Sequence, residues 1–251
     1  MDKCGTLRPP VVDESTDPGV LKEYIKEKLT AATINPHFKI RVPEKFLEAK
    51  SECLEKVKTF YKLVEYKGSD SCVSCNLKEE WECTKKLRDY FDTVRTKITT
   101  AMFGEDFHLL TSNGGEWWFE ADLKIRYYPE NGPQQLGAHV DGNFITLLWS
   151  DRPGLQFPKE SEISGLSPAD VRAIGLPSLC PPMVSIKDDM WEDVAQDPEE
   201  IVVTIGNAFF EADFVQKSEF SEIQCPVLHR VHCSQPGGRF SIPYLFCMHK
   251  K

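Results

Sequence analysis

The stretch that decides the fold and the site reads GAHVDGNFITLL and covers residues 137–148. Its β-branched and aromatic residues are typical of a strand. Alternate residues of a strand point to the same face, so the imidazole of His139 and the carboxylate of Asp141 can reach one point in space. An imidazole with a carboxylate suits iron, manganese or zinc. A lone His-x-Asp pair also fits a surface strand with two polar residues facing outward, and the pair alone favours that alternative.

A second strand-like run, LHRVH at residues 228–232, offers two more histidines. His229 and His232 are three residues apart and face opposite sides of a strand, so only one of them can join His139 and Asp141. Two imidazoles and one carboxylate leave open coordination positions on one face of a metal. That arrangement suits non-heme Fe(II) and O₂.

An arginine and a hydroxyl close to the end of the chain predict a carboxylate receptor. Arg239 and Ser241 share one face of a strand. A guanidinium grips both oxygens of a carboxylate, and the hydroxyl adds a hydrogen bond. An isolated Arg is usually a surface cation, but residues 242–246 are strongly apolar and indicate burial. A buried Arg needs an anionic partner.

The chain divides into two stretches of different texture. Residues 18–107 are predicted to be helical, because Asp17-Pro18 is a helix start and three apolar stripes follow at helical spacing. From about residue 108 the apolar runs are short, and Gly, Pro, Asn and Asp separate them, as in a barrel or sandwich. We expect a mainly β fold, with a helical N-terminal region (1–107) packed on a β core (108–251) as one structural unit.

Composition excludes several classes of protein. Lys and Arg total 30 and Asp and Glu total 39 in 251 residues, and this net charge of −9 argues against nucleic-acid binding. With 41% hydrophobic and 27% charged residues, wholesale disorder is excluded. No apolar run predicts a membrane span, and residues 1–10 lack the apolar segment of a secretory signal.

The nine cysteines are an odd number in a long chain, so we expect reduced thiols and a cytoplasmic protein rather than a disulfide framework. Cys72 and Cys75 form a Cys-x₂-Cys, with Cys83 eight residues later. Structural zinc commonly takes two such pairs. Because a second pair is missing, free thiols are favoured over zinc.

The order and character of the segments between residues 123 and 246, about half of the chain, carry a family resemblance. They resemble the Fe(II)/2-oxoglutarate-dependent oxygenases, within the isopenicillin N synthase-like branch. The matching segments are residues 125–129, 137–148, 151–156, 191–194, 201–207, 227–231 and 239–246.

The resemblance implies a double-stranded β-helix (jelly-roll, cupin-like) core and a set of site residues. It implies His139, Asp141 and His229 as ligands of Fe(II). Arg239 and Ser241 would bind the distal carboxylate of 2-oxoglutarate, and Tyr128 would donate its hydroxyl to the same cosubstrate. These residues are read off the matching segments.

The activity implied is oxidation of a small molecule, amino-acid-like substrates included, by O₂ and 2-oxoglutarate. Hydrogen abstraction would lead to hydroxylation, desaturation or cyclisation, with succinate and CO₂ as coproducts and ascorbate as a reductant of the iron. Two other classes stay open. One is an iron oxidase that uses no 2-oxoglutarate, in which Arg239 and Ser241 hold the substrate carboxylate. The other is a non-catalytic binding module. A monomer is the default expectation.

The sequence departs from the family pattern at residue 126 and in residues 158–190. Arg126 stands where plant-type members often carry Asn, and a structural ion pair with an acid is favoured over contact with a substrate carboxylate. Residues 158–190 form an insert that is either a surface loop or a lid over the substrate. The candidates for substrate contact are Trp117, Phe119, Arg126, Phe144 and this insert.

Overall fold

The computed structural model describes residues 8–31, 35–63, 72–108, 117–129, 136–163, 165–174, 186–232 and 238–250. Cys4, Cys180 and Cys233 therefore lie outside the described residues, as do residues 164 and 175–185 of the predicted insert.

Three long helices form the N-terminal layer, and they confirm the three predicted helical stripes. They are α1 (Pro18–Ala31), α2 (Glu44–Phe60) and α3 (Glu82–Phe103). Asp17 caps α1, because its carboxylate accepts a hydrogen bond of 3.0 Å from the backbone N–H of Val20. The apolar stripes of the helices face a single large core that they share with one sheet.

The strands of the described residues form two antiparallel sheets. The larger sheet has the order β1-β9-β6-β11-β4-β2, with β3 also paired to β11, and the smaller has the order β5-β10-β7-β8. The strands are β1 (His37–Arg41), β2 (Val73–Cys75), β3 (Trp117–Leu123), β4 (Ile125–Tyr128), β5 (Leu136–Val140), β6 (Ile145–Ser150), β7 (Leu155–Pro158), β8 (Trp191–Asp193), β9 (Glu200–Ile205), β10 (Leu228–Val231) and β11 (Arg239–Lys250). The prediction of a β fold with a helical N-terminal layer is confirmed at this level.

The prediction that residues 18–107 are helical is wrong at two short places. β1 and β2 lie within this region and form the two edges of the larger sheet, where β1 pairs with β9 and β2 pairs with β4. β1 alternates, with Phe38 and Ile40 buried. A five-residue alternation is a weak signal between two long helical stripes, and only tertiary pairing stabilises such a segment as a strand.

The long strand β11 separates the core from a pocket. Its even-numbered residues Phe240, Ile242, Tyr244 and Phe246 are buried in the core shared with the helices. The ring of Tyr244 stacks on Phe91 of α3 at 5.3 Å between centroids. Burial of each such ring contributes roughly 1.5–3 kcal/mol. The odd-numbered residues 239–245 line a pocket on the opposite face of the sheet.

The described part of the insert packs behind the smaller sheet. It forms α4 (Glu160–Ile163), α5 (Pro168–Ile174) and a single 3₁₀ turn at Asp188–Met190. Val171 of α5 contacts Val140 and Leu228 in a small apolar cluster. Val140 follows His139 on β5, and Leu228 precedes His229 on β10. Neighbouring residues of a strand point to opposite faces, so α5 covers the sheet face that points away from the two histidines.

Two short helices, α6 (Ala208–Glu211) and α7 (Asp213–Gln216), follow β9. Among the described residues, no helix has the length and apolar character needed to cross a membrane.

Candidate metal centre and anion pocket

Two histidines lie side by side on neighbouring strands of the smaller sheet. His139 on β5 and His229 on β10 are direct partners in the strand register, and their ring centroids are 4.2 Å apart. The Nδ1 atom of each ring lies near a carbonyl two residues earlier, at 2.8 Å from Gly137 and 3.0 Å from Val227. A carbonyl can only accept, so Nδ1 carries the proton and Nε2 keeps the lone pair that a metal requires.

Asp141 completes the cluster immediately after β5. Its Oδ1 atom lies 3.6 Å from Nε2 of His139 and 3.8 Å from Nε2 of His229. The three side chains offer ligand atoms that all lie within 4.8 Å of one another. The second carboxylate oxygen, Oδ2, accepts a hydrogen bond of 2.5 Å from the Thr146 hydroxyl, which orients Oδ1 toward the imidazoles.

The turn that carries Asp141 is held against the end of β9. The backbone N–H of Asn207 donates to the carbonyl of Asp141 at 2.8 Å, and that of Gly206 donates to Phe144 at 3.0 Å. A Cβ atom on Gly206 would lie 2.1 Å from the carbonyl oxygen of Asn143, so only glycine allows this close approach.

The charges of the cluster suit a divalent cation. Burial opposes ionisation of Asp141, but the nearby imidazoles of His229 and His139 and the hydrogen bond from Thr146 outweigh it and hold the pKa of the carboxyl below its ordinary range. Burial lowers the pKa of His229, although Asp141 opposes this. At neutral pH the site therefore presents an anionic carboxylate and a neutral His229 imidazole, which are the forms that bind a metal.

Arg239 is a fully buried cation of the pocket, and most of its hydrogen-bond donors have no partner among the described residues. It is 0% exposed, and its Nε atom donates to the carbonyl of Arg152 at 3.1 Å. Both terminal nitrogens are buried and have no hydrogen-bond partner among the described residues. Its guanidinium carbon lies 5.2 Å from the ring centre of Tyr128. Removing a charge from water costs several kcal/mol unless an anion compensates it. A carboxylate with two oxygens fits these two free nitrogens.

The pocket brings together every residue predicted for metal and cosubstrate binding. The sequence did not predict the apolar part of the pocket, which includes Val231 two residues after His229 and Pro243 two residues after Ser241. The lining residues are Arg126, Tyr128, Leu136, His139, Asp141, Thr146, Leu148, Leu155, His229, Val231, Arg239, Ser241, Pro243 and Leu245. The donor set and the unpartnered guanidinium therefore fit an iron ion with a chelating dicarboxylate.

Arg126 faces the same pocket. It is the register partner of Ser241 on the neighbouring strand, and its Nε atom is buried without a hydrogen-bond partner. Within the described residues, no carboxylate lies at ion-pair distance from Arg126, so the structural ion pair favoured from sequence is not observed.

Three aromatic candidates for substrate contact lie elsewhere. Phe144 is 0% exposed and packs on Phe209 at 5.0 Å between ring centroids. Phe119 stacks on Phe107 at 5.3 Å, and Trp117 makes an edge contact with Phe214. None of the three lines the pocket.

The strand register explains the error. Trp117 and Phe119 pair with Lys250 and Met248, which belong to the even, core-facing side of β11. Their neighbours on β3, Trp118 and Glu120, pair with the odd side that faces the pocket.

The six cysteines of the described residues are free thiols, namely Cys53, Cys72, Cys75, Cys83, Cys225 and Cys247. The groups of potential metal ligands found among the described residues do not include Cys72, Cys75 or Cys83.

Comparisons with known proteins bear on the fold. No family model and no curated protein matches the chain. Among solved structures, the chain is similar to a full-length Neurospora crassa protein in complex with α-KG and thymine, with 15% identity, 96% of this chain and 86% of that chain covered, and a TM-score of 0.57. A dioxygenase for auxin oxidation in rice gives 15% identity, coverage of 95% and 82%, and a TM-score of 0.56.

A third similar structure is a Caulobacter crescentus protein assigned to the 2OG-Fe(II) oxygenase family, with 14% identity, coverage of 91% and 82%, and a TM-score of 0.53. The chain thus shares the fold of the Fe(II)/2-oxoglutarate oxygenases over nearly its whole length, and at the level of the fold the predicted resemblance is confirmed. The isopenicillin N synthase-like branch stays a prediction.

Proposed function

We propose that this chain is a non-heme Fe(II)- and 2-oxoglutarate-dependent oxygenase that oxidises a small molecule. The observation that carries the proposal is the unpartnered, fully buried guanidinium of Arg239 in the same pocket as the His139–Asp141–His229 cluster. A binding module without catalysis needs neither the ligand triad nor the cation, and a simple metal site needs no buried arginine.

Each residue of the pocket has a task in this proposal. His139, Asp141 and His229 would hold the iron, and Arg239 with Ser241 and Tyr128 would hold the distal carboxylate of 2-oxoglutarate. Bound in this way, iron and cosubstrate would supply, from O₂ and the decarboxylation of 2-oxoglutarate to succinate and CO₂, the oxidising power to remove hydrogen from a C–H bond.

The remaining contribution of the chain is orientation and exclusion of water. Leu136, Leu148, Leu155, Val231 and Leu245 form an apolar wall around the polar groups of the pocket. A dry wall strengthens each charge interaction inside the site and protects the reaction from water.

We also propose that the two sheets form a double-stranded β-helix and that residues 1–107 and 108–251 act as one unit. The shared core between the helices and the larger sheet supports this, as do β1 and β2, which the N-terminal region adds to that sheet.

The substrate is proposed to be a small molecule with an acidic group, and Arg126 is proposed to receive that group. Arg126 lines the pocket beside Ser241 and has a free buried Nε atom. The similar Neurospora structure holds the small molecule thymine together with α-KG. The acidic net charge of −9 disfavours a nucleic-acid polymer, and the cysteine pattern supports action in the cytoplasm.

The test is anaerobic titration of the Fe(II)-loaded chain with 2-oxoglutarate, followed by the visible charge-transfer absorption of the chelate. We expect a band with the wild type, a much weaker band with Arg239→Ala at equal concentration, and an unchanged band with Arg41→Ala. Arg41 is a matched control because it is an exposed arginine in a surface ion pair with Glu199.

Two outcomes would overturn parts of the proposal. Iron binding without any band would favour the oxidase that uses no 2-oxoglutarate, with Arg239 as the receptor of a substrate carboxylate. Failure of the chain to bind iron would remove the enzyme assignment altogether.

A further inference from the structure

A second group of potential metal ligands lies on the pocket-facing side of β3 and β11. Glu120 on β3 is the direct register partner of Cys247 on β11, and His249 follows two residues later on the same face. The carboxylate, thiol and imidazole offer ligand atoms that all lie within 4.8 Å of one another. The three residues form the Glu–Cys–His cluster.

The imidazole of this cluster is placed for a ligand. Its Nε2 atom lies 3.9 Å from Oε1 of Glu120, which is too long for a hydrogen bond, and has no hydrogen-bond partner among the described residues, although the His249 side chain is 42% exposed. The ring of His249 stacks on Trp118 at 4.3 Å between centroids and 22° between planes. This stacking restricts rotation of the ring, and the imidazole supplies one of the three ligand atoms of the cluster.

The Glu–Cys–His cluster is separate from the His139–Asp141–His229 cluster. Leu245 lines the pocket and pairs with Thr146, which orients Asp141. Cys247 is the next residue on that face of β11, about 7 Å farther along the strand at about 3.4 Å per residue. The two clusters have no residue in common.

We propose that Glu120, Cys247 and His249 form a second metal site for a zinc-class divalent cation. One thiolate, one imidazole and one carboxylate are a borderline-soft ligand set that suits Zn²⁺, and three protein ligands leave the fourth tetrahedral position for water. The site is distinct from the iron site in chemistry, because it alone contains sulfur.

Asp122 lies on the same face of β3, two residues from Glu120, and is ion-paired with Lys124, so Glu120 is the carboxylate available to a cation. Cys247 is a free thiol, which must lose its proton to bind a metal. Binding of the cation forms the metal–sulfur bond and releases that proton to the solvent.

The experiment is a titration of the full chain with Co²⁺, a spectroscopic substitute for Zn²⁺. A cobalt–thiolate bond gives a strong near-ultraviolet charge-transfer absorption, which a site of two histidines and an aspartate cannot give. We expect this absorption in the wild type and in His229→Ala, its loss in Cys247→Ser, and its retention in Cys225→Ser. Zn²⁺ should abolish it by displacement.

The cysteine control matters because the chain has nine cysteines. Cys225 is a matched control, since it is a buried free thiol outside both ligand clusters. Absence of the absorption in the wild type, or an undiminished absorption in Cys247→Ser, would overturn the proposal. Loss of the absorption in His229→Ala would also overturn it, because the cobalt would then depend on the first cluster.

A second measurement needs no variant and covers the case in which Cys247→Ser does not fold. Cys247 is only partly buried, so its alkylation by a small reagent can be followed by peptide mass spectrometry. One equivalent of Zn²⁺ beyond the iron-bound form should slow alkylation of Cys247 at least about tenfold and leave that of Cys72 unchanged. An unchanged rate at Cys247 would contradict the site.

Discussion

The two faces of β11 carry different kinds of side chain, although both belong to the same twelve residues. The even face is apolar and packs against the helices through Phe240, Tyr244 and Phe246. The odd face turns Arg239 and Ser241 into the pocket. The difference shows how one strand serves two purposes, since burial of the even face fixes the register and thereby fixes where the odd face presents its polar groups.

The largest expected effect is a loss of activity at the metal ligands, which lie in the pocket that the odd-numbered residues of β11 line. His229→Ala should reduce iron-dependent turnover more than about 100-fold, because loss of an outer-shell partner alone typically costs 10–100-fold. The measurements are iron content after dialysis and release of succinate. His232→Ala removes a neighbouring histidine outside both ligand clusters and should keep the iron. An active His229→Ala enzyme would contradict the ligand assignment.

On the even face the expected loss is in stability. Phe246 is 1% exposed and packs on Phe119 at 4.7 Å between ring centroids. Phe246→Ala should lower the free energy of unfolding by about 3–5 kcal/mol, the usual cost of emptying a buried aromatic site. Urea denaturation checks this, with the pocket-facing Leu245→Ala as the matched variant. Equal losses for the two variants would contradict the division between the faces.

The variant Arg239→Met separates ligand binding in the pocket from stability of the fold most clearly. The variant should weaken 2-oxoglutarate binding about 100-fold or more, because two charge-assisted hydrogen bonds are lost. Its free energy of unfolding should stay within about 1 kcal/mol of the wild type or rise, since an unpaired buried charge is replaced by an apolar side chain of similar volume. Titration with 2-oxoglutarate and urea denaturation give both values. A variant that binds normally would remove Arg239 from the receptor.

The smallest effect is expected on iron affinity, at the residue that orients the carboxylate of Asp141. Thr146→Val removes the hydroxyl that donates to Oδ2, so the carboxylate loses its orientation and iron affinity should fall about 10–100-fold. A competition assay with a chelator measures this affinity. Thr99→Val is the matched control, because Thr99 is also buried but donates to a backbone carbonyl of α3. Equal iron affinity of Thr146→Val and the wild type would contradict the role of Thr146.

The polar residues of the pocket could be predicted from sequence because their spacing is that of a strand. His139 and Asp141, and likewise Arg239 and Ser241, are two residues apart, and a strand places such residues on one side. The apolar stripe of α1 could also be predicted from sequence. Its residues recur at helical spacing and are buried in the helix, namely Leu21, Tyr24, Ile25 and Leu29.

The aromatic residues around the pocket could not be assigned in the same way. Residues 117–119 are three successive aromatics, so no alternation reveals which of them face inward. Only the pairing of β3 with β11 shows that Trp118 faces the pocket side and that Trp117 and Phe119 face the core. Arg126 needed the same information, because its position opposite Ser241 depends on pairing between distant strands.

The most direct test is a crystal structure of the chain grown with Mn(II), as a redox-stable substitute for iron, and 2-oxoglutarate. We expect the metal on His139, Asp141 and His229. The distal carboxylate of 2-oxoglutarate should lie on the two terminal nitrogens of Arg239, within hydrogen-bond distance of Ser241. A distal carboxylate bound elsewhere, with the Arg239 nitrogens still unpartnered, would contradict this expectation.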